Sequence, residues 1–173
     1  MIKSILFSML CALGISSIAM AQTVSNPVAR FDDWSVFEAD SPKECFAVTA
    51  PRLTVNTRGG REVSVRRSEI LLFVFYRPSA DTKGQIAFTG GYPFATGRSI
   101  TLQVDNRSFD LSTNGEWAWP ATPEDDAVVA AAMRRGAKAT ITGQSGRGTV
   151  TKDEFSLTGF TAAMADAERR CTG

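Results

Sequence analysis

Thr89–Leu111, TGGYPFATGRSITLQVDNRSFDL, decides the reading of the fold. It opens with a glycine pair and an aromatic–proline corner, Gly90-Gly91-Tyr92-Pro93-Phe94. An alternating segment follows, with Ile100, Leu102 and Val104 on one face and Thr101, Gln103 and Asp105 on the other. A period of two is the pattern of a strand with one buried face. Asp105-Asn106 then offers turn chemistry, and Phe109 and Leu111 resume the alternation around Asp110. The stretch predicts a β-hairpin at the centre of a β-rich domain.

The N-terminus is predicted to lie outside that domain. Met1-Ile2-Lys3 carries one positive charge, Ile5–Ile18 is an apolar run, and Ala19-Met20-Ala21 fits a small-x-small cleavage rule. Residues 1–21 therefore read as a signal peptide, cut between Ala21 and Gln22. The run is too short for a membrane span and lacks a stop-transfer flank, so no integral membrane protein is expected after cleavage. Cys11 follows Leu10, where a lipoprotein needs a small residue. Residues 22–30, with Pro27, read as a flexible N-terminal arm. Residues 31–173 suit one domain with a substantial core. Basic and acidic residues balance once Lys3 is gone, so no global field favours nucleic acid or an anionic membrane.

Cys45 and Cys171 remain near the two ends of the domain. Export permits oxidation, and two cysteines leave one intramolecular pairing, so a Cys45–Cys171 disulfide is expected. Two free thiols or an intermolecular bridge are the alternatives.

Phe31–Glu38 reads as the first strand, Asp40-Ser41-Pro42 as a turn, and Cys45–Ala50 as a strand stopped by Pro51. Leu53–Val65 is interrupted by the charged tip Arg58-Gly59-Gly60-Arg61. The unbroken run Ile70–Tyr76 predicts a central strand buried on both sides, ended by Pro78. Lys83-Gly84 reads as a turn leading through Gln85–Phe88 to the hairpin. Thr122-Pro123-Glu124-Asp125 supplies an N-cap, a proline at the first helical position and acidic residues in the first turn. Val128, Val129, Ala132 and Met133 form the expected apolar stripe, and Gly136 ends the helix. Lys138–Thr142 and Thr149–Leu157 read as strands flanking a glycine-rich loop. Thr161–Arg170 reads as a short terminal helix returning Cys171 to the body. The expected core is Trp34, Val36, Leu72, Val74, Phe88, Ile100, Leu102, Val104, Phe109, Trp119, Val129, Met133, Ile141, Phe155 and Leu157.

Chemistry is sparse. The chain has no histidine, which excludes a histidine triad, a histidine general base and most zinc sites. The densest carboxylates, Glu124-Asp125-Asp126, read as a capping cluster rather than a calcium site. The loop Gly143-Gln144-Ser145-Gly146-Arg147-Gly148 invites comparison with a phosphate cradle. It lacks a Gly-Lys-Ser/Thr ending and precedes a strand, so it reads as a hairpin loop. Ser145 has no evident base, and nothing in the spacing supports a dyad with Lys138 or Lys152. Trp117 and Trp119 share a strand face, which more often marks a core edge than a ligand platform. Arg58, Arg61, Arg66 and Arg67 read as a solvated edge that discourages aggregation, with Arg66 and Arg67 on opposite faces.

The order of several short features carries a resemblance. Trp34 and Cys45 precede Ala50-Pro51, followed by a strand ending in Arg77-Pro78 and then Gly91-Tyr92-Pro93-Phe94. Val104-Asp105, Ala118-Trp119 and Ala132-Met133-Arg134-Arg135-Gly136 come next. The tail holds Arg147-Gly148-Thr149, Asp153, Ser156-Leu157, Gly159-Phe160, Ala162-Ala163 and Cys171. This pattern resembles the invasion-associated locus B family of exported α-proteobacterial proteins, over nearly all of residues 22–173. The segment Asp153-Glu154-Phe155 departs from it, where a smaller polar residue and tyrosine follow the aspartate. The resemblance implies a mainly β, immunoglobulin-like sandwich, a periplasmic or envelope location, and no established enzymatic activity. The family name refers to host-cell invasion by pathogenic members, although many members come from free-living bacteria.

The resulting expectation is an exported, non-catalytic, cofactor-free envelope protein. It would act through contacts with an envelope or host protein, including attachment or invasion. The alternative is a periplasmic module binding a small ligand. Tyr92, Trp117, Arg58 and Arg61 are the candidate contact residues for either role.

Overall fold

The computed structural model describes residues 26–172. The expected signal peptide, its cleavage point at Ala21 and Gln22, and Cys11 lie outside the described residues. In chain order the strands are β1 (Ala29–Phe31), β2 (Trp34–Asp40), β3 (Lys43–Thr49), β4 (Leu53–Arg58), β5 (Arg61–Glu62), β6 (Leu71–Arg77), β7 (Thr82–Thr89), β8 (Ile100–Val104), β9 (Arg107–Asn114) and β10 (Trp117–Trp119). Helix α1 (Pro123–Met133), strands β11 (Lys138–Gln144) and β12 (Val150–Ser156), and helix α2 (Phe160–Thr172) complete the chain.

All pairings are antiparallel, in the order β1-β2-β3-β6-β7-β10-β9-β8-β11-β12-β4-β5. The expected hairpin is the hinge of this arrangement. In β9, Arg107–Leu111 pairs with β8, while Ser112–Asn114 pairs with β10. One strand therefore belongs to two wings, and the sheet folds over it into a β-sandwich. Asp105, at φ 49°, makes the tight turn that starts β9. An aspartate tolerates that left-handed conformation better than most residues.

The inner faces of the two wings and both helices share one core. Phe88 of β7 meets Phe155 of β12 edge-on, with ring centroids 6.0 Å apart. Trp34 meets Phe160 of α2 at 4.9 Å, and its indole N–H donates to the Ser156 carbonyl at 3.1 Å. These four aromatic side chains are essentially inaccessible to water. Each contributes roughly 1.5–3 kcal/mol of burial free energy. Cys45 in β3 is bonded to Cys171 in α2, spanning 126 residues and fixing the end of the helix to the sheet.

Several expectations need correction. Ala29 and Arg30, assigned to the loose arm, pair with Val36 and Ser35 of β2. The turn before β7 is not at Lys83-Gly84, which lie inside the strand. It is a 3-10 turn at Pro78–Ala80, with Asp81 in the left-handed region. Arg66 and Arg67 lie in an irregular connection between β5 and β6 rather than in a strand. Phe109 and Trp119 are half-buried, whereas Ala118 between the tryptophans faces the core. The pairing of Ala118 with Phe88 fixes that register and turns both tryptophans outward.

Helix α1 starts as expected, with the Asp125 N–H donating to Thr122 Oγ1 at 3.2 Å. Val128 is exposed, however, because the inward stripe runs through Asp126, Val129, Ala130 and Met133. The spacing of three and four around Asp126 selects that face. Asp126 is thus more than a first-turn charge. Its Oδ1 accepts the Ile86 N–H at 2.8 Å, beyond the point where the short β10 stops pairing with β7. Burial pushes the Asp126 carboxyl up to about 6, against the lowering effect of that hydrogen bond.

Candidate functional site

Two features stand out, on different parts of the molecule. The first is a cleft of about 440 Å³ at one end of the sandwich. It is walled by the corner Gly91-Tyr92-Pro93, the β5–β6 connection at Val65-Arg66-Arg67, Arg58 at the end of β4, Glu116, and the β11–β12 loop at Ser145-Gly146-Arg147. The glycine-rich loop is the expected hairpin loop, closed by the Ser145 N–H to the Thr149 carbonyl at 2.9 Å. It is also one wall of the cleft, a placement that sequence spacing does not reveal.

Arg67 builds the floor. Its two terminal nitrogens donate to the two carboxylate oxygens of Asp153, at 2.7 and 2.6 Å. Its Nε donates to the Gly90 carbonyl at 2.8 Å, and Nη1 also reaches Asn56 Oδ1 at 3.3 Å. The Arg67 side chain is 5 % exposed and that of Asp153 is 0 % exposed. The guanidinium lies 5.1 Å from the centroid of the Tyr92 ring. The Tyr92 hydroxyl is hydrogen-bonded to Thr151 Oγ1 at 2.6 Å. Burial, partly offset by Thr151 and Arg67, raises the Tyr92 phenol above its ordinary range, so it remains protonated at neutral pH. Gly91 allows the close approach of this corner to the β5–β6 connection. Its φ is +70°, and a Cβ there would meet the Ser68 backbone at 2.7 Å.

The other arginines of the cleft are not neutralised. Arg58 donates to Thr149 Oγ1 through Nε at 3.2 Å and Nη2 at 2.7 Å, which leaves the rest of its fork free. Arg58, Arg66 and Arg147 have no carboxylate partner among the described residues. Of the candidate contact residues, Tyr92 and Arg58 therefore meet in the cleft. Arg61 sits outside it, across the Gly59-Gly60 tip from Arg58.

Trp117 belongs to the second feature, the outer face of the wing β2-β3-β6-β7-β10. Phe37 stacks on Phe46 at 5.2 Å, Phe46 meets Phe75 at 5.4 Å and Phe73 at 5.9 Å, and Phe73 meets Trp117 at 5.6 Å. Ala87 of β7 lies in the same cluster, and its small side chain leaves room for Trp117 to reach Phe73 across β7. The stripe crosses five neighbouring strands, about 19 Å at the usual strand spacing. Arg77 lies over Phe75 at 4.0 Å and is bonded to Glu44 and Gln85, giving the stripe a polar border. Trp117 is 40 % exposed. The helices pack on the opposite face, within the main core. Ile70–Tyr76 is thus buried on both sides, as expected of β6, except at Ile70 and Leu71, which are half-buried. On the outer side the shielding comes from neighbouring aromatic rings rather than from another layer.

Among the described residues no group of three or more His, Cys, Asp or Glu side chains could hold a metal ion. The Lys138 ammonium is bonded to Glu154, and Lys152 pairs across the ladder with Thr142. No described helix is long and apolar enough to cross a membrane.

Comparisons with known proteins bear on these features. Comparison with curated proteins gives no match. A solved structure, the crystal structure of invasion associated protein b from Bartonella henselae, superposes with a TM-score of 0.57 at 16% sequence identity. The match covers 84% of this chain and 98% of that one. At that identity the likeness concerns the fold. The family model "Invasion associated locus B (IalB) protein" matches residues 38–168, from β2 into α2, taking in the cleft and the aromatic stripe from Phe46 to Trp117. The chain belongs to the invasion-associated locus B family.

Proposed function

We propose that this family member is an exported, non-catalytic protein of the periplasm or cell envelope that works by binding another protein, in the manner of an attachment or invasion factor. The aromatic stripe on the outer sheet face carries the reading. Phe73 and Phe75 at its centre are shielded by their neighbours, while Phe46 is partly buried and Trp117 half-exposed, so the stripe presents an apolar face over which no other layer packs among the described residues, as a contact surface does. Its polar border at Arg77, Glu44 and Gln85 resembles the rim of such an interface. Export is supported by the leader-like N-terminus and by the Cys45–Cys171 disulfide, which needs an oxidising compartment to persist. Two packed antiparallel layers with loops gathered at their ends support an immunoglobulin-like classification.

The test is retention and attachment by a face variant. Trp117→Glu places a charge where the ring is already half-exposed, so folding should survive. Loss of binding to envelope fractions and host-cell surfaces at an unchanged melting temperature is the expected result. Binding equal to that of the unaltered protein would sink the reading.

A further inference from the structure

Separately from the contact face, we infer that the cleft between the Tyr92 corner and the β11–β12 loop is a binding site for a phosphate-type oxyanion carried on a small apolar body. The argument starts from charge. Arg58, Arg66, Arg67 and Arg147 face the cleft, against Glu116 on its wall and Asp153 behind Arg67. Asp153 is fully engaged by Arg67, so it neutralises the floor and not the mouth. Three guanidiniums remain around the opening without a carboxylate partner, in a chain whose basic and acidic residues are otherwise nearly balanced. Like charges repel, so gathering them on one cleft is costly unless an anion occupies it. Arginine forks suit the geometry of a phosphate.

The site is also held in place before any ligand arrives. Thr149, itself buried, fixes Arg58 through two hydrogen bonds and is tied through its own N–H to Ser145 Oγ. Arg67 fixes Tyr92 from below, and the backbone N–H groups of Gly146 and Arg147 take no protein partner among the described residues. The protonated Tyr92, Val65 and Pro93 supply uncharged and apolar wall. The volume lies in the range of small-molecule sites. A phosphomonoester fits this combination, with its dianion at the arginines and its body against Tyr92 and Pro93.

Titration calorimetry of the oxidised protein with phenyl phosphate at low ionic strength tests the assignment. Saturable binding that weakens with salt is expected, with phenol inactive. Arg147→Ala and Arg58→Ala should each reduce affinity about tenfold or more, while Arg61→Ala, outside the cleft, should leave it unchanged. All three side chains are exposed, and equal melting temperatures verify folding. Phosphatidylcholine vesicles with and without phosphatidic acid separate the sources. Displacement of phenyl phosphate by the acidic vesicles alone places the phosphate on a lipid, and no displacement places it on a soluble ester; both support the site. Absence of saturable binding, benzoate binding as tightly as phenyl phosphate, or affinities indifferent to Arg58 and Arg147 would overturn it.

Discussion

Arg67→Met should be among the most damaging single substitutions outside the apolar core. Arg67 and Asp153 form a bidentate pair in which the side chains are 5 % and 0 % exposed. Removing the guanidinium leaves the carboxylate with the Thr54 hydroxyl at 2.9 Å as its remaining hydrogen-bond partner among the described residues. Breaking a buried pair from one side costs about 3–5 kcal/mol, because the other charge stays buried without compensation. Two further bonds, to Gly90 and Asn56, are lost as well. For a domain of this size the expected fall in melting temperature is on the order of 10 °C. Asp153→Leu should cost a similar amount by stranding the arginine. The double variant Arg67→Met/Asp153→Leu should be much less destabilised than the two singles together, since an apolar replacement of a buried pair is often close to neutral. Urea denaturation of the four proteins, with slopes compared, measures the cycle. An Arg67→Met cost below about 1 kcal/mol, or strictly additive singles, would refute the description of this pair as desolvated and coupled.

Three further outcomes follow from other positions. The Asp126 carboxyl titrates near 6 in the folded protein against 3.8 ordinarily, so the native state binds the extra proton between those values. Its contribution to stability therefore falls as pH rises from about 4 to about 6, by about 3 kcal/mol at most. Asp126→Asn, which retains an acceptor for the Ile86 N–H, should flatten that part of a pH–stability profile measured by thermal melts; an unchanged slope would contradict the assignment. Reduction of Cys45–Cys171, which closes a loop of 126 residues, should cost about 4–5 kcal/mol in denaturant titrations under reducing conditions. A reduced protein as stable as the oxidised one would show that α2 is held by packing alone. Gly159→Ala should destabilise by several kcal/mol on thermal melting, because φ is +89° and a Cβ would collide with the Phe31 carbonyl oxygen. Full stability of that variant would show that β1 can move away from the start of α2 without penalty.

The fold was largely legible because its signals are local. Period-two alternation found β8 and β9, and the Thr122-Pro123 start found α1. The two cysteines available after export left one intramolecular bridge. The misplacements arose where tertiary pairing overrode a local cue. Lys83-Gly84 has turn composition, but the chain has already turned at Pro78–Asp81, leaving Lys83 to pair with Tyr76 and Gly84 to sit at the irregularity next to it in the β6–β7 ladder. Trp117 and Trp119 share one face whichever way β10 lies; only its pairing with Phe88 decides which face. The cleft was less legible. Tyr92 and Arg58 drew attention as an aromatic and a cation, but their meeting depends on the return of the chain at Thr149–Thr151. Arg147 was hidden in a loop that read correctly as a hairpin. The phosphate-cradle comparison was the one hint of it, and that comparison failed on motif grounds. Asp153 gave no sign that it pairs with Arg67, which is 86 residues away in sequence.

Contact through the aromatic face is tested most directly by in-cell photocross-linking. A photoreactive phenylalanine analogue would replace Trp117, or Asp110 on exposed β9 as the control, in the protein exported by its own cells. Illumination should yield a discrete protein adduct from position 117 and none from position 110. No adduct at 117, or the same adducts from both positions, would contradict a role for this face in binding a partner.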